Sequence, residues 1–285
     1  MAGVGVLLFV LLHASSGPVA LDPGFFAQGA CLAFAPTHGN RSETVFLDAG
    51  HGGIDPGGVG TTESGHPIDE AAVNLPIELD AMRILRAHGF RVAVSRTGNS
   101  TVLKLTRDDL VDGALSLQAA HDDVAARDVC ANLAQAKVLV GIYMDAGGPG
   151  SAGSLTAYDP ARRFAGANLR LAQLLQTDVL SAMNSHGWDI PDAGVDPDTS
   201  LGSYVGNPAT GGLAGAAAAY DHLLLLGPAM RGFFTTPSEM PGAVIEPLYL
   251  TDPFEGSIAA RRDGQLTIAR GIASAVEQFL ARPHK

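Results

Sequence analysis

The sequence is poor in charge, and lysine is its rarest charged residue. Charged residues make up 16% of the 285 residues, and acidic residues outnumber basic ones by 29 to 18, for a net charge of −11. A nucleic-acid-binding domain carries a basic patch, and simple adhesion to an anionic polymer or membrane surface needs positive charge. The composition therefore excludes both nucleic-acid binding and that kind of adhesion.

Aromatic residues and cysteines are also few. Hydrophobic residues nevertheless make up 46% of the chain, so the sequence is that of a globular protein with one sizeable core or at most two small ones. Its two cysteines, Cys31 and Cys130, can form one disulfide in an exported protein. Cys130 lies in a predicted helix, where a buried free thiol fits equally well.

No hydrophobic run is long enough to cross a bilayer. The apolar stretch from Val4 to Leu12 is followed by small residues and a turn at Gly17-Pro18, which is typical of a signal peptide. No side chain before residue 22 carries a full charge, so the usual positive start is missing. We predict that residues 1–20 are a signal peptide or a short apolar N-terminal segment, with a buried strand as the alternative. We expect no stable membrane span and an exported protein.

The rest of the chain divides into an irregular lead-in over 21–42 and one domain over 43–285. In that domain apolar strands alternate with amphipathic helices, which predicts an α/β three-layer sandwich: a mostly parallel mixed sheet flanked by helices on both faces. The predicted strands are 44–47, 91–95, 138–144, 155–158, 222–226 and 243–247, and the predicted helices are 69–88, 115–134, 165–186 and 266–280. Residues 190–219 are rich in Gly, Pro, Asp and Ala and predict a long loop that can act as a lid over a site.

The clearest local signal is a histidine at the end of the first predicted strand. His51 lies between glycines in the stretch Gly50–Gly57 (GHGGIDPG), and glycines let the backbone turn sharply. In open α/β sheets ligands bind at the carboxyl ends of the strands. His51 is therefore a candidate catalytic or metal-binding residue, and a tight turn with an incidental histidine is the alternative.

Two glutamates are further candidates. Glu70 opens a predicted helix, where an acidic residue is favoured by the helix dipole and can be purely structural. Glu246 ends an apolar strand, where a buried carboxylate is costly unless it is paired. A desolvated carboxyl group has a raised pKa and can transfer protons near neutral pH. An exposed strand end is the alternative for Glu246.

Taken together, these motifs resemble the zinc-dependent N-acetylmuramoyl-L-alanine amidases of the amidase-3 family, over roughly residues 43–281. The family's opening GHGG-x-D-P-G loop matches the stretch around His51. The other matches are Glu70 with Asn74 and Leu75, Ser95-Arg96-Thr97, Arg127 with Ala131 and Asn132, and, more loosely, Ile245 to Pro253.

The resemblance implies a zinc ion held by His, Glu and His. It assigns His51 and Glu70 to the first two ligands, but the third ligand position is Tyr143. Tyrosine is not among the usual zinc donors of proteins, and its ordinary pKa is about 10. Three substitutes are open: Tyr143 as a phenolate, Asp145 two residues further on, or a distant histidine such as His222.

The resemblance also implies the reaction and its setting. Zinc would polarise the carbonyl and lower the pKa of a bound water, while Glu246 takes a proton from the water and delivers it to the leaving amine. The substrate would be the peptidoglycan amide between N-acetylmuramic acid and L-Ala of the stem peptide. We expect a cell-wall-associated protein, periplasmic or extracellular, that acts as a monomer.

Two other interpretations stay open because of Tyr143 and of Pro247 directly after Glu246. One is a catalytically degenerate homologue that binds peptidoglycan or regulates another cell-wall protein. The other is a different hydrolase with a remodelled pocket, indicated by the unusual run from Asp145 to Pro149.

Overall fold

A computed structural model describes residues 17–200 and 219–281 of the chain. The helices with both ends inside these ranges are α1 (Glu70–Ala87), α2 (Leu117–Leu133), α3 (Ala165–Asn184), α4 (Pro253–Ala260) and α5 (Arg262–Ala281). The strands are β1 (Val19–Ala20), β2 (Ala30–Phe34), β3 (Thr44–Ala49), β4 (Val59–Thr61), β5 (Pro67–Asp69), β6 (Arg91–Arg96), β7 (Leu110–Val111), β8 (Ala114–Leu115), β9 (Val138–Ile142), β10 (Ser154–Tyr158), β11 (Asp192–Pro197) and β12 (Gly242–Glu246).

Eight of these strands form one mixed sheet in the order β1-β2-β6-β3-β9-β12-β10-β11. The four central strands β6, β3, β9 and β12 run parallel to one another, whereas β2 and β10 run antiparallel to their central neighbours. The carboxyl ends of the central strands therefore meet at one edge of the sheet. Because β10 runs the other way and β11 is parallel to it, the carboxyl ends of β10 and β11 lie at the opposite edge.

Helices cover both faces of the sheet, as the sequence predicts. Side chains alternate along each strand, so Val45 and Leu47 join the core under α1, α3 and α5, and Phe46 joins the core on the α2 side. All the residues of β3 and β9 are buried. This double burial explains why these strands read as continuous apolar runs rather than as alternating ones.

Helix α1 begins and ends where its sequence signals lie. The side chain of Asp69 accepts a hydrogen bond of 2.8 Å from the backbone N–H of Ala72 and so caps the first turn. The helix ends before Gly89, which takes a positive φ of 93° that disfavours other residues. The capped first turn fixes the position of Glu70 on the side that faces the ends of β3 and β9.

Two sequence predictions about local structure are wrong. Residues 222–226 form a turn, not a strand: Leu224, Leu225 and Leu226 fill the α2-side cores from that turn. The segment 21–42 is not irregular throughout, because β2 adds an antiparallel strand beside β6. In both cases burial against a neighbouring element, which local patterning does not encode, decides the structure.

Strand β2 is linked to helix α2 by a disulfide. Cys31 in β2 and Cys130 in α2 are bonded, with their Cα atoms 5.6 Å apart, and both are completely buried. Of the two alternatives for these cysteines, the structure has the disulfide.

Two further predictions fall partly outside the described residues. Most of the apolar N-terminal segment predicted over 1–20 lies outside the described ranges, and its last two residues, Val19–Ala20, form β1. The predicted loop over 190–219 contains β11, and its remainder from 201 to 218 lies outside the described ranges. Among the described helices, none combines the length and apolar character needed to cross a membrane.

Candidate active site

The loop that follows β3 holds His51 in an unusual backbone conformation. His51 has a φ of 58° and is followed by Gly52 and Gly53 at 131° and 66°. A positive φ is strained for a residue with a side chain, and such strain persists where surrounding contacts enforce it. Here the backbone N–H of Gly53 is fixed by the side-chain oxygen of Asn99 at 2.8 Å.

Two carboxylates hold the imidazole of His51, one at each nitrogen. Nδ1 lies 2.7 Å from Oδ2 of Asp55, and Nε2 lies 3.2 Å from Oε2 of Glu70. Burial opposes the charged imidazolium, but hydrogen bonds to both carboxylates outweigh it and raise the pKa of His51 to about 10. Asp55 thus fixes the orientation of the ring and directs Nε2 towards Glu70.

Glu70 is buried at the start of α1, and both of its carboxylate oxygens are hydrogen-bonded. Oε1 accepts from the backbone N–H of Met144 at 3.0 Å, and Oε2 accepts from that of Gly58 at 2.8 Å. Asn74, one turn further along α1, lies 3.4 Å from Oε1. Glu70 therefore occupies a helix N-terminus and also connects α1, the β3 loop and the end of β9.

Glu246 ends β12 at the same edge of the sheet and is partly buried there. Burial, the negative charges of Asp145 and Glu70, and a hydrogen bond with Asp145 raise the pKa of Glu246 well above its ordinary value. The shift favours the protonated form of this carboxyl group beside Asp145. The structure thus gathers the four acidic and imidazole groups named from the sequence, His51, Glu70, Asp145 and Glu246, at one edge.

Tyr143 lies at the family's third ligand position, but its hydroxyl is already bound. Its ring passes so close to Gly50 that a Cβ at Gly50 would meet ring carbons at 2.4–2.6 Å. The hydroxyl donates to Oδ2 of the buried Asp48 over 3.1 Å. Burial and the negative charge of Asp48 raise the pKa of Tyr143 well above its ordinary value. This arrangement opposes a phenolate ligand at Tyr143.

Asp48, Arg96 and Arg127 support this site from below, a role that the sequence did not predict. Arg127 donates to Oδ1 of Asp48 at 2.5 Å and to the backbone oxygens of Ala49 and His51. Arg96 donates to the backbone oxygens of Ala49, Gly50 and Ala71. The sequence does carry a signal for these residues: each is a charged residue within a strand or helix, and such a residue is buried only when it has partners.

The donor chemistry fits a zinc ion at two positions, and the part of the chain that the structure describes offers no His, Cys, Asp or Glu for the third. His51 Nε2 and Glu70 Oε2 converge, and Asp55 on Nδ1 is the usual supporting partner of a metal-bound histidine. Catalytic zinc sites generally use three protein ligands. Within 17–200 and 219–281, no third His, Cys, Asp or Glu completes a close ligand group with this pair.

His222 is not the substitute for the third ligand. It lies with Asp159 and Asp198 in a separate group of possible metal ligands. Asp159 directly follows β10 and Asp198 directly follows β11, so this group lies at the edge of the sheet opposite His51.

A family model described as N-acetylmuramoyl-L-alanine amidase, Amidase_3, matches residues 45–278. The chain belongs to the amidase-3 family. Members of this family are typically metal-dependent and act on cell-wall peptidoglycan. The search of curated proteins found no match.

Solved structures with the same fold are amidases of several bacteria. AmiC2 of Nostoc punctiforme is 21% identical with a TM-score of 0.57, over 86% of this chain and 100% of that one. The amidase of Clostridium difficile 630 is 24% identical with a TM-score of 0.55, over 85% and 98%. CwlD of Clostridioides difficile, solved in complex with the GerS lipoprotein, is 19% identical with a TM-score of 0.60, over 84% and 98%. At these identities the likeness establishes the amidase-3 fold.

Proposed function

We propose that this domain is a peptidoglycan amidase that cleaves the amide between N-acetylmuramic acid and L-Ala of the stem peptide. We further propose that it holds its zinc ion with only two protein side chains, His51 and Glu70, and therefore more weakly than a three-ligand site does. The observation that carries the proposal is the convergence of His51 Nε2 and Glu70 Oε2, 3.2 Å apart, with Asp55 on the other ring nitrogen.

The remaining groups of the site have the chemistry that amide hydrolysis needs. When bound, zinc supplies a Lewis acid that polarises a carbonyl and lowers the pKa of water. Glu246 lies beside Asp145, and burial raises its pKa well above its ordinary value. Such a carboxyl group can exchange a proton with water and with a departing amine near neutral pH. Asp55 and Glu70 orient the imidazole of His51 from both sides.

Action outside the cytoplasm belongs to the same proposal. The buried disulfide between Cys31 and Cys130 favours an oxidising compartment, periplasmic or extracellular. An apolar N-terminal segment over 1–20 fits a signal peptide. We propose an exported, cell-wall-associated monomer with the catalytic domain over 43–285, and with the lead-in joined to that domain through β2.

A second candidate function follows from Tyr143. Its hydroxyl is committed to Asp48, and no described side chain replaces the third ligand. A domain that binds peptidoglycan or regulates another cell-wall protein, without cleaving the amide, needs the cleft but not the metal. This alternative differs from the first in zinc content and in turnover.

The test is a zinc titration with a cleavage assay on the chain without residues 1–20. Wild type, Tyr143→His and Glu246→Gln are dialysed against buffered zinc, analysed for bound metal and incubated with purified peptidoglycan. We expect cleavage by wild type to require excess zinc. Tyr143→His should still bind zinc when the free zinc concentration is lower by roughly tenfold or more. Glu246→Gln should bind zinc like wild type and lose cleavage by about a hundredfold or more.

Two results would overturn the amidase proposal. The first is an absence of new L-Ala amino termini at any zinc concentration while the wild type still sediments with peptidoglycan, which supports the binding-only alternative. The second is cleavage of simple amide or ester substrates but not of peptidoglycan. That result would indicate a different hydrolase on the amidase-3 scaffold.

A further inference from the structure

A second group of potential metal ligands lies at the edge of the sheet opposite His51. It consists of Asp159 after β10, Asp198 after β11 and His222. Both aspartates are completely buried, and His222 is largely buried, with 17% of its side chain exposed. Nδ1 of His222 lies 3.0 Å from Oδ2 of Asp159 and 3.4 Å from Oδ1 of Asp198.

Each aspartate uses one oxygen as an anchor and leaves the other directed at His222. Oδ1 of Asp159 accepts from the backbone N–H groups of Ala161 and Arg162, at 2.5 and 3.1 Å. Oδ2 of Asp198 accepts from the backbone N–H of Leu223 at 3.1 Å. The anchored oxygens orient the carboxylates, as supporting hydrogen bonds do for metal ligands.

The oxygen of Asp159 that faces His222 is an unsatisfied buried atom. Oδ2 of Asp159 accepts no hydrogen bond, although Nδ1 of His222 is near it. Buried polar atoms are nearly always satisfied, so an orphaned carboxylate oxygen indicates a missing partner. A cation at the point shared by the three ligand atoms would satisfy it.

Electrostatics at this group point the same way. The two buried carboxylates repel each other, because each directs one oxygen at the same imidazole nitrogen. Arg162 is the nearby fixed cation, but its guanidinium donates to the backbone oxygens of Leu226, Gly227 and Ser238. The group therefore carries more negative charge than the arginine alone offsets.

We propose that Asp159, Asp198 and His222 bind one divalent transition-metal ion of the zinc class. One imidazole nitrogen and two carboxylate oxygens are donors that zinc accepts, with water in the remaining position. The ion would be structural, because it would join the ends of β10 and β11 to His222. His222 lies 24 residues after Asp198 in the sequence. This site is separate from the His51 cleft, because β10 runs antiparallel to β12.

The experiment isolates this site by removing the donors of the other one. The chain with His51→Gln and Glu70→Gln is dialysed against buffered zinc, analysed for bound metal and heated with and without the ion. We expect one zinc per chain, and a rise in Tm of about 5 °C or more at a hundredfold excess over the dissociation constant.

Further substitutions assign the ion to its ligands. In the same background, Asp198→Asn and His222→Gln should each weaken zinc binding by roughly tenfold or more and remove the rise in Tm. The matched controls are the exposed Asp112→Asn and His38→Gln, which should change neither quantity. Because Asp198→Asn preserves the shape of the side chain, it tests the site even if His222→Gln folds poorly.

Either of two results would overturn this proposal. One is a background chain that binds no zinc and shows no change in Tm up to about 1 mM zinc. The group is then His222 in contact with two aspartates and no ion. The other is zinc binding that survives both Asp198→Asn and His222→Gln, which would assign the ion to other residues.

Discussion

Tyr143 donates a hydrogen bond of 3.1 Å to Asp48, and Arg127 holds the other oxygen of the same carboxylate. The phenol therefore belongs to a buried network under the β3 loop rather than to the set of groups facing the cleft. A histidine at this position has a shorter side chain. We therefore expect the wild type and Tyr143→His to differ in the free energy of unfolding as well as in zinc affinity.

Removing the hydroxyl alone tests that network. Tyr143→Phe leaves Oδ2 of Asp48 without its donor inside the protein, and we expect the free energy of unfolding to fall by about 1–2 kcal/mol. Urea denaturation measures this change. The control is Tyr158→Phe in β10, which should change stability by less than about 0.5 kcal/mol. Equal effects of the two substitutions would argue that the Asp48 bond contributes little.

Glu78 predicts a pH dependence of stability. It is fully buried in α1, where Oε1 accepts from the backbone N–H groups of Ala49 and Ser95. Burial raises its pKa from 4.5 to about 8, so the folded chain binds this proton more tightly than the unfolded chain. The associated stability is full below about pH 4.5, falls as pH rises towards 8 and is then constant.

Glu78→Gln should remove that dependence. The amide keeps an oxygen acceptor for Ala49 and Ser95 but does not ionise. We expect the variant to be more stable than wild type by about 5 kcal/mol at pH 8.5, and by only about 1 kcal/mol at pH 5. Denaturation series at the two pH values measure the difference. The exposed Glu239→Gln is the control, and a wild type with no more slope than Glu78→Gln would contradict the prediction.

Gly57 is predicted to be essential for the geometry of the cleft. A Cβ at this residue would lie 2.5 Å from Cδ2 of His51 and 2.7 Å from Oε2 of Glu70, and its φ is 68°. We expect Gly57→Ala to lose cleavage and the zinc ion held by His51 and Glu70, because both donor groups must move.

Gly65→Ala is the matched control for the backbone effect. Gly65 has a φ of 79°, and a Cβ there would meet nothing within 4 Å. This variant should lose about 1–2 kcal/mol of stability and keep full zinc binding. If the two alanine variants bind zinc equally, the close approach at Gly57 does not control the site.

The disulfide predicts a large effect of reduction. Cys31 and Cys130 are 99 residues apart, and closing a loop of that length stabilises a protein by about 4–5 kcal/mol in the chain-entropy description. We expect a reductant to lower the Tm of wild type strongly. Cys31→Ser with Cys130→Ser should unfold at the lower temperature with or without reductant. A wild-type Tm that does not respond to complete reduction would rule this out.

The sequence predicts the parts of the fold that follow from periodicity and strand burial. Helix α1 and strands β3 and β9 lie within two residues of their predicted bounds, because capping and apolar patterning are local signals. Residues 222–226 are a different case. Their leucines are buried from a turn, and only the neighbouring elements determine that outcome.

The candidate site divides in the same way. The motif around His51 and the strand-end position of Glu246 identify the cleft, since both signals lie in a few consecutive residues. The network of Asp48 and Arg127 joins positions far apart in the chain, and its partners cannot be read from either segment alone. The hydroxyl of Tyr143 belongs to that network, so the local sequence pattern could not predict that it points at Asp48.

The opposed directions of β12 and β10 have a consequence for how this protein can vary. The chain leaves the sheet after β11 and returns to it before β12, and both points lie at the edge away from His51. Length changes, fused reporters or new binding segments inserted directly after β11 or directly before β12 begin on the far side of the domain. Evolution and engineering can therefore alter the docking behaviour of one end while the end that carries His51 keeps its dimensions.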